Sequence, residues 1–446
     1  MDFKPVSKED LDSFSNDYNG CKLSRVMTDI FSKNDFGSFG FNPTVSKENY
    51  FRFSYEIPTM RSTNQKGSGR CWLFAAVNIL REIIGKKLNV DYFELSQSHL
   101  AFWDKFERCN YYINCVIDTA SDPLEDQTVQ YLLGTTFGGD GGQWDMFANI
   151  VRKYGIIPKD AMPETYQTSS TGRLNGHLYE YMRVCTGRIR KLIKEGADAE
   201  KLEEVRKDIL SRVYGFLCRC FTEPPKTFDL EYIDKDKKYH MERDYTPESF
   251  CDKFIGDFLD NYISVINSPT DDKPFNKFYT VKYLGNIVGG DDILYYNLPI
   301  EELKALVLQQ LVDGELVWFG SDSGKFRDTD KRLWDDRCFD TSAITGLDSD
   351  YTKAESLDDR ISAMGHAMVF CGVNIDERTG KPDRWKIQNS WGSDGVNDGY
   401  YFCSDSWFDR FVYQAVINKK YLKGKLDNIT DIKVLNPWDP MGTLAN

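Results

Sequence analysis

The sequence predicts an α+β fold in which a helix-rich first half precedes a strand-rich second half. Between residues 71 and 84 the apolar side chains recur at intervals of three and four, as they do on the buried face of a helix. From about residue 277 the pattern changes to alternating apolar and aromatic residues, which is typical of strands. The 446 residues are enough for two or three lobes, or for one enzyme fold with large insertions.

The remaining elements follow in chain order. Residues 1–60 carry short apolar stretches that indicate a helix and an extended arm. Helices are expected at 94–103, with Ser96 or Ser98 as N-cap, and at 144–153. Residues 175–265 are charged and helical by period, which predicts an inserted helical lobe. Strands are expected at 278–284, 316–320, 367–373 and 400–403, with a helix at 300–312 among them.

Composition and charge exclude several classes of protein. The formal net charge of -13 disfavours general nucleic-acid binding, because phosphate contacts rely on clustered lysine and arginine. No apolar stretch approaches the roughly 20 residues that span a bilayer, so no membrane association is expected. The first residues lack the apolar segment of a secretory signal, and the eleven cysteines form no disulfide framework, which favours a cytoplasmic protein with reduced thiols.

Cys71 is the candidate nucleophile. It follows a glycine-rich segment and begins the apolar helical run, so it lies beside unpaired backbone N–H groups and the positive end of a helix dipole, which favour a thiolate. Gln65, six residues upstream, can donate to an oxyanion that forms next to the sulfur. Taken alone, Cys71 is equally well explained as a buried structural thiol.

His366 is the best candidate base among the four histidines. It lies between Gly365 and an apolar strand, whereas the other three lie on a helical face or in charged surroundings. Asn389 follows a strand 23 residues later (389 − 366), and its amide oxygen can accept a hydrogen bond from the imidazole. Trp391 could shield that contact from water. The alternatives are a core histidine and a turn asparagine.

The glycines at 138–142 have two interpretations. They form a tight turn before a helix, or Gly141 and Gly142 let the chain approach the backbone of a substrate. No His-Glu-x-x-His motif and no Gly-x-Gly-x-x-Gly after a strand is present, so no metal and no other cofactor are predicted.

These motifs together resemble the papain-like cysteine peptidases. The shared features are Gln65 and Cys71-Trp72 with five residues between them, the Gly-His-Ala strand start and the Asn-Ser-Trp-Gly segment at 389–392. Arg70 departs from the small residue that is common before the cysteine. The cysteine and histidine are 295 positions apart (366 − 71), against about 130 to 150 in the simple papain pattern, so about 150 residues are inserted.

The segment 142–146 and the ending at 436–446 are similar to the bleomycin hydrolase and aminopeptidase C branch of that family. The resemblance implies a two-lobed fold, with a helical lobe, a β-barrel-like lobe and a large helical insertion. The corresponding domains are an N-terminal arm and helix (1–60), a helical lobe with the nucleophile (61–170), an inserted oligomerisation lobe (171–275), a β-rich lobe with histidine and asparagine (276–435) and a C-terminal arm (436–446).

The resemblance also implies a function. It implies a cysteine aminopeptidase without a cofactor that acts on peptides with a free N-terminus, and that also hydrolyses bleomycin-like amides or homocysteine thiolactone. In this family the C-terminal arm lies in the active-site cleft, so Ala445 and Asn446 would bind substrate, and removal of Asn446 would leave Ala445 as the anchor. Thr443 stands where relatives usually have alanine. A homohexamer is implied as well, and a nucleic-acid-binding role of the same scaffold is the alternative.

Overall fold

The computed structural model describes residues 3–36, 39–135, 139–426, 429 and 431–445. The chain starts with α1 (Lys8–Gly20), α2 (Lys22–Phe31), α3 (Pro43–Glu48) and the short strand β1 (Tyr55–Glu56). Ser7 and Asp10 form a capping box that fixes the start of α1. The sequence predicted one helix here and the structure contains three, and none of the residues of α1 or α2 is buried.

A layer of helices follows. It comprises α4 (Cys71–Leu88), α5 (Gln97–Asp118), α6 (Gln127–Gly134), α7 (Trp144–Tyr154) and α8 (Tyr166–Ser169). The predicted helices at 71–84, 94–103 and 144–153 are confirmed, and Ser96 is the N-cap of α5 because its side chain accepts from the N–H of His99. Most of α4 is buried, so this helix is surrounded by the core rather than lying on its surface.

The next region is helical and then changes to strands. It contains α9 (Gly172–Lys194), α10 (Ala199–Phe221), the antiparallel hairpin of β2 (Phe228–Ile233) and β3 (Tyr239–Tyr245), and α11 (Pro247–Phe254). The hairpin lies inside the range that the sequence analysis interpreted as helical. Along β2 buried and exposed residues alternate, and this period of two competes with the helical interpretation.

The second half of the chain builds the main sheet. Its strands are β4 (Tyr262–Ile266), β5 (Lys277–Val281), β6 (Tyr295–Asn297), β7 (Val317–Ser321), β8 (Arg327–Asp328), β9 (Leu333–Trp334), β10 (His366–Ile375), β11 (Pro382–Gln388), β12 (Tyr400–Ser404), β13 (Val412–Asn418) and β14 (Ile432–Leu435). Within the described residues the order is β14-β5-β6-β4-β13-β7-β10-β11-β12-β9-β8, and β1 pairs with the far end of β10. β4 belongs to this sheet although it lies within 171–275, because all five of its residues are buried and pair with β13 and β6.

The sheet is covered on both faces. Along β10, Ala367 and Val369 pack toward the helical layer, whereas Met368 and Phe370 pack toward a second core on the opposite side. That second core is covered by α12 (Ile300–Val312) and α15 (Asp405–Phe411), and the short helices α13 (Thr341–Thr345) and α14 (Lys353–Asp358) lie in the connections. The N-terminal end of α4 therefore faces the start of β10. In the part of the chain that the structure describes, no helix is both long and apolar enough to cross a membrane.

Candidate active site

Cys71 is the first residue of α4 and is 3% exposed. Arg70 occupies the N-cap position without a side-chain cap, because its guanidinium is turned away and forms two hydrogen bonds with Glu164, at 3.1 and 2.8 Å, and one with the Thr168 carbonyl. The large side chain at position 70 is thus buried in a separate ion pair. The backbone N–H groups at the start of α4 stay directed toward the region around the sulfur.

The start of β10 lies against this sulfur. The N–H of Ala367 donates to Cys71 Sγ at 3.4 Å, and His366 is the residue just before it. His366 Nε2 is 2.9 Å from Asn389 Oδ1, so Nδ1 is the ring nitrogen left to exchange a proton with the thiol. Asn389 directly follows β11, which pairs antiparallel with β10. The structure therefore brings the cysteine, the histidine and the asparagine together.

Trp391 covers the imidazole. Its ring stacks on His366, with 4.9 Å between the centroids and 27° between the planes. Gln388 pairs with Val369, so the register continued by three residues sets Trp391 beside His366. The guanidinium of Arg327 lies on Trp391 as well, 5.2 Å from the ring centroid. The tryptophan separates the histidine from solvent on this side.

Gln65 is held by hydrogen bonds to its own loop and to Ser390. Its amide Nε2 donates to the Ser68 carbonyl at 2.5 Å, and its Oε1 accepts from the hydroxyl of Ser390. The backbone N–H of Gln65 also donates to the Ser390 carbonyl at 2.8 Å. Ser390 directly follows Asn389. Gln65, the candidate donor to the oxyanion, is therefore fixed to the segment that orients the histidine.

Burial controls the charges at the site. It raises the pKa of the Cys71 thiol to about 11, opposed in part by the N–H of Ala367. It lowers the pKa of His366 to about 4, opposed by the hydrogen bond that His366 Nε2 donates to Asn389 Oδ1. The helix terminus favours a thiolate, as expected from the sequence, but the cost of burying a single charge opposes it. In this closed site neither group ionises favourably without the other.

The two glycines after Asp140 have different neighbours. A Cβ built on Gly141 would lie 2.2 Å from the Leu444 carbonyl oxygen, and one built on Gly142 would lie 2.4 Å from Cε2 of Trp72. Gly141 therefore contacts the C-terminal arm, and Gly142 contacts the residue after the nucleophile. Gly138, at the start of the cluster, lies outside the described residues.

The C-terminal arm enters the cleft after β14 and ends in a 3-10 helix at Pro440–Ala445. Lys273 and Asp439 form a buried ion pair at 3.0 Å, and the hydroxyl of Thr443 donates to the Met364 carbonyl at 2.8 Å. Leu444 and Ala445 are each 3% exposed. The arm is packed up to its last described residue, and Asn446 lies outside the described part of the chain.

Two buried cations on α5 complete the site, and the sequence analysis missed both. Lys105 Nζ donates to Asp140 Oδ1 at 2.8 Å, while Asp140 Oδ2 accepts from the N–H of Gly69 at 2.8 Å. Trp72 donates its ring N–H to the Asp140 carbonyl. Arg108 donates to the Ala445 carbonyl at 3.3 Å and to the Gly141 carbonyl. Lys105 and Arg108 lie on a charged helical face, and nothing in the sequence indicates that their side chains are buried.

A cleft of about 520 Å³ opens over these groups. Its lining includes Gly69, Cys71, Gly141, Tyr179 and Leu444, so the nucleophile and the arm share one space. A larger cavity of about 640 Å³ lies behind α4, is lined by residues such as Ile79 and Glu82, and contains none of the candidate site residues. Among the described residues no group of three or more histidine, cysteine, aspartate or glutamate side chains is placed to hold a metal ion.

Comparison with known proteins identifies the class to which this fold and site belong. The model of the Peptidase C1-like family matches residues 5–442, and the chain belongs to that family of papain-like cysteine peptidases. The crystal structure of PepW from Lactobacillus rhamnosis superimposes with a TM-score of 0.95 at 42% sequence identity, over 98% of this chain and 99% of that one.

The sequence relatives give the branch. Aminopeptidase C of Listeria monocytogenes is 41% identical over 98% of both chains, and aminopeptidase C of Lactobacillus delbrueckii is 44% identical over 88% of both. Human bleomycin hydrolase is 40% identical over 86% of both chains. The resemblance inferred from the motifs is thereby confirmed: the chain is a cysteine-type aminopeptidase of the bleomycin hydrolase and aminopeptidase C branch.

Proposed function

We propose that the protein removes N-terminal residues from peptides by acyl transfer to Cys71. The main support for this proposal is the cleft that the nucleophile and the C-terminal arm share. The Cys71 sulfur lies at the start of the His366 strand, and the last residues of the same chain fill the adjoining space. The helical layer supplies the nucleophile and the sheet supplies the base. We infer that these are the two lobes of a papain-like fold, with the cleft between them.

The pair of Cys71 and His366 reacts as a unit. Transfer of the thiol proton to Nδ1 creates the thiolate and the imidazolium together, so each charge stabilises the other in a place where neither is stable alone. The thiolate attacks the first peptide carbonyl, and the imidazolium then protonates the departing amine. Asn389 fixes the ring, since its Oδ1 accepts from Nε2 at 2.9 Å. Water releases the acyl group and restores the thiol.

Gln65 and the backbone N–H of Cys71 stabilise the oxyanion. One hydrogen of the Gln65 amide is used on Ser68, which leaves the second for the developing negative charge. The amide is held by Ser390 as well, so it needs no reorganisation during the reaction. Trp72 and Trp391 support the site by packing against the glycine turn and the imidazole.

The C-terminal arm restricts the reaction to chain ends. Leu444 lies on Gly141 and lines the cleft beside Cys71, so a longer peptide cannot continue past this point. A terminal carboxylate here would bind the α-ammonium group of a substrate through a charge-assisted hydrogen bond. Removal of Asn446 by the enzyme itself would make Ala445 that terminus, and an intact mass that still includes Asn446 after incubation would contradict this step.

The same chemistry extends to other acyl compounds. The 40% identical relative named bleomycin hydrolase supports hydrolysis of bleomycin-like amides, and a thiolate also cleaves a thioester such as homocysteine thiolactone. We propose a homohexamer in the cytoplasm. The exposed apolar side chains of α1 and α2, among them Leu11, Phe14 and Leu23, support assembly, and the eleven free cysteines support a reducing compartment.

The nucleophile is tested by substitution. Cys71→Ala should abolish turnover of aminoacyl fluorogenic substrates while the thermal midpoint stays within a few degrees of wild type, because only one small buried atom is lost. Cys109→Ala is the matched control, since Cys109 is a fully buried cysteine on α5 outside the cleft. Retained turnover in the Cys71 variant would sink the proposal.

The arm is tested by truncation. Deleting residues 441–446 should lower activity on substrates with a free N-terminus and admit N-acetylated or internal peptides. A shorter deletion of residues 445 and 446 keeps the buried side chains of Met441 and Leu444 in place and guards against a general loss of stability. If blocked substrates stay excluded from both truncated proteins, the arm does not set specificity.

A further inference from the structure

One buried guanidinium connects the C-terminal arm to the floor of the cleft. Arg108, on α5, is 4% exposed. It donates through Nη1 to the carbonyl of Ala445 at 3.3 Å and through Nη2 to the carbonyl of Gly141. Gly141 belongs to the glycine turn that lines the reaction cleft, and Ala445 follows Leu444, which lines the cleft as well. The two terminal nitrogens of one planar guanidinium thus contact two chain segments that are 304 residues apart (445 − 141).

The guanidinium is itself fixed from behind. Its Nε donates to Asp104 Oδ2 at 2.8 Å, and Asp104 Oδ1 accepts from Asn286 Nδ2 at 3.0 Å. Asn286 Nδ2 also donates to the Met146 carbonyl at 3.0 Å, which attaches the network to α7. Arg108 lies 5.7 Å from the ring centroid of Trp72. These contacts fix the position of the Arg108 guanidinium, so the arm must dock where its carbonyl can accept from it.

We propose that Arg108 is a positioning residue that docks the C-terminal arm in the cleft and thereby sets how strictly the enzyme requires a free N-terminus. This inference rests on the proposed role of the arm as the element that limits the reaction to chain ends. Arg108 does not contact the reacting atoms. It acts through Ala445 and through the carbonyl of Gly141.

The charges favour this role. In a chain that ends at Ala445, the oxygen that Arg108 contacts belongs to a carboxylate, and a hydrogen bond to a carboxylate is stronger than one to a neutral carbonyl. Asp104 balances the positive charge of Arg108, since the two form a buried ion pair at 2.8 Å. The neutral pair can therefore orient the terminal carboxylate without cancelling the negative charge that attracts the substrate ammonium group.

The test compares Arg108→Met and Arg108→Lys with wild type on an aminoacyl fluorogenic substrate and its N-acetylated counterpart. The ratio of kcat/KM for the free substrate to that for the acetylated one should fall about tenfold to a hundredfold in Arg108→Met, the range expected for loss of a charged hydrogen bond. For the free substrate KM should rise more than kcat falls, because Cys71 and His366 are untouched. Arg108→Lys keeps the charge but not the fork, so its ratio should lie between the two.

Arg81→Met is the control for removing a buried guanidinium. Arg81 is also fully buried, but it lies on α4 and donates to the carbonyls of Met60 and Arg61, away from the arm. It should lower the thermal midpoint without changing the ratio. An equal change of ratio in the Arg81 and Arg108 variants would overturn the proposal, because the effect would then come from lost stability.

The same substitutions in the protein that lacks residues 441–446 separate this inference from the proposed function. Arg108→Met should leave the ratio of the truncated protein unchanged, because no arm remains to dock. A further fall there would overturn the positioning role. If truncation lowers the ratio and Arg108→Met in the full chain does not, only the role of Arg108 is wrong. If truncation itself leaves the ratio unchanged, the proposed role of the arm fails.

Discussion

Substitution of two adjacent glycines by alanine should have different effects on specificity and on stability. Gly141 faces the C-terminal arm and Gly142 faces Trp72, although both lie in one turn beside the nucleophile. We expect Gly141→Ala to change the preference for a free N-terminus while leaving the core intact. Gly142→Ala should instead lower stability and turnover on every substrate, with the preference unchanged.

The magnitude for Gly141→Ala follows from its contacts. The new Cβ would lie 2.2 Å from the Leu444 oxygen, and real Cβ atoms essentially never approach within 3.0 Å, so the arm must retreat by at least 0.8 Å (3.0 − 2.2). The hydrogen bond from Arg108 to the Ala445 carbonyl is already 3.3 Å long and does not survive that retreat. Overpacking of this kind costs about 1 to 3 kcal/mol, so the docked arm should become about fivefold to a hundredfold less favoured.

Gly142→Ala meets a different obstacle. Its Cβ would lie 2.4 to 2.6 Å from three carbons of the Trp72 ring. Trp72 is fully buried, and its backbone carbonyl accepts from the ring N–H of Trp318. The ring cannot move without disturbing the start of α4, where Cys71 lies. A loss of stability of about 1 to 3 kcal/mol and a fall in kcat for free and blocked substrates alike are expected.

The assay is the ratio of kcat/KM for free and N-acetylated aminoacyl substrates, with urea denaturation of each variant. Gly141→Ala is also made in the protein that lacks residues 441–446, where Leu444 is absent and the clash disappears. If the ratio still shifts in that truncated background, the alanine acts on the substrate rather than on the arm. Equal behaviour of the two glycine variants would refute the geometric reasoning.

Two further predictions concern the histidines. Asn389→Ala should lower kcat about tenfold to a hundredfold, since the buried Nε2 of His366 loses its 2.9 Å partner and the ring its orientation; steady-state kinetics with KM nearly unchanged is the expected result, and an undiminished kcat would contradict it. Burial lowers the pKa of His99 to about 4. As the pH falls, His99 takes up a proton near pH 6.5 in the unfolded chain and only near pH 4 in the folded one. The free energy of unfolding should therefore fall between pH 6.5 and pH 4, by about 3 kcal/mol from His99, and above pH 6.5 this contribution is constant. His99→Gln should flatten the fall by that amount in urea titrations across pH, whereas an unchanged slope would show that His99 does not titrate this way.

Strong periodicity made much of the fold predictable. Helices α4, α5, α7 and α12 follow from apolar spacing, which acts locally, and α5 follows from the Ser96 cap as well. β4 was missed because a run of five buried residues does not reveal its period, and its pairing partners lie far along the chain. The β2–β3 hairpin could have been found from the alternation in Phe228–Ile233.

The site shows the same division between local and distant information. Gln65, Cys71, His366 and Asn389 carry motifs, so the sequence singled them out. In the structure the start of the His366 strand contacts the Cys71 sulfur, Asn389 accepts from His366, and Gln65 is bonded to Ser390, the residue after Asn389. Arg108 has no motif, because its role depends on a contact 337 residues away in sequence. The neutral state favoured by burial was also invisible in sequence, since the N-terminal position of Cys71 on its helix gives no measure of how deeply the arm and the sheet cover it.

The role of Cys71 is tested most directly with the wild-type protein on one fluorogenic aminoacyl substrate and its N-acetylated form, before and after reaction with a thiol-directed inhibitor. We expect rapid cleavage of the free substrate, little or none of the acetylated one, and loss of activity in proportion to modification of Cys71 as located by peptide mass. Equal cleavage of both substrates would contradict the role of the arm. Full activity after complete modification of Cys71 would contradict the central claim that this thiol is the nucleophile.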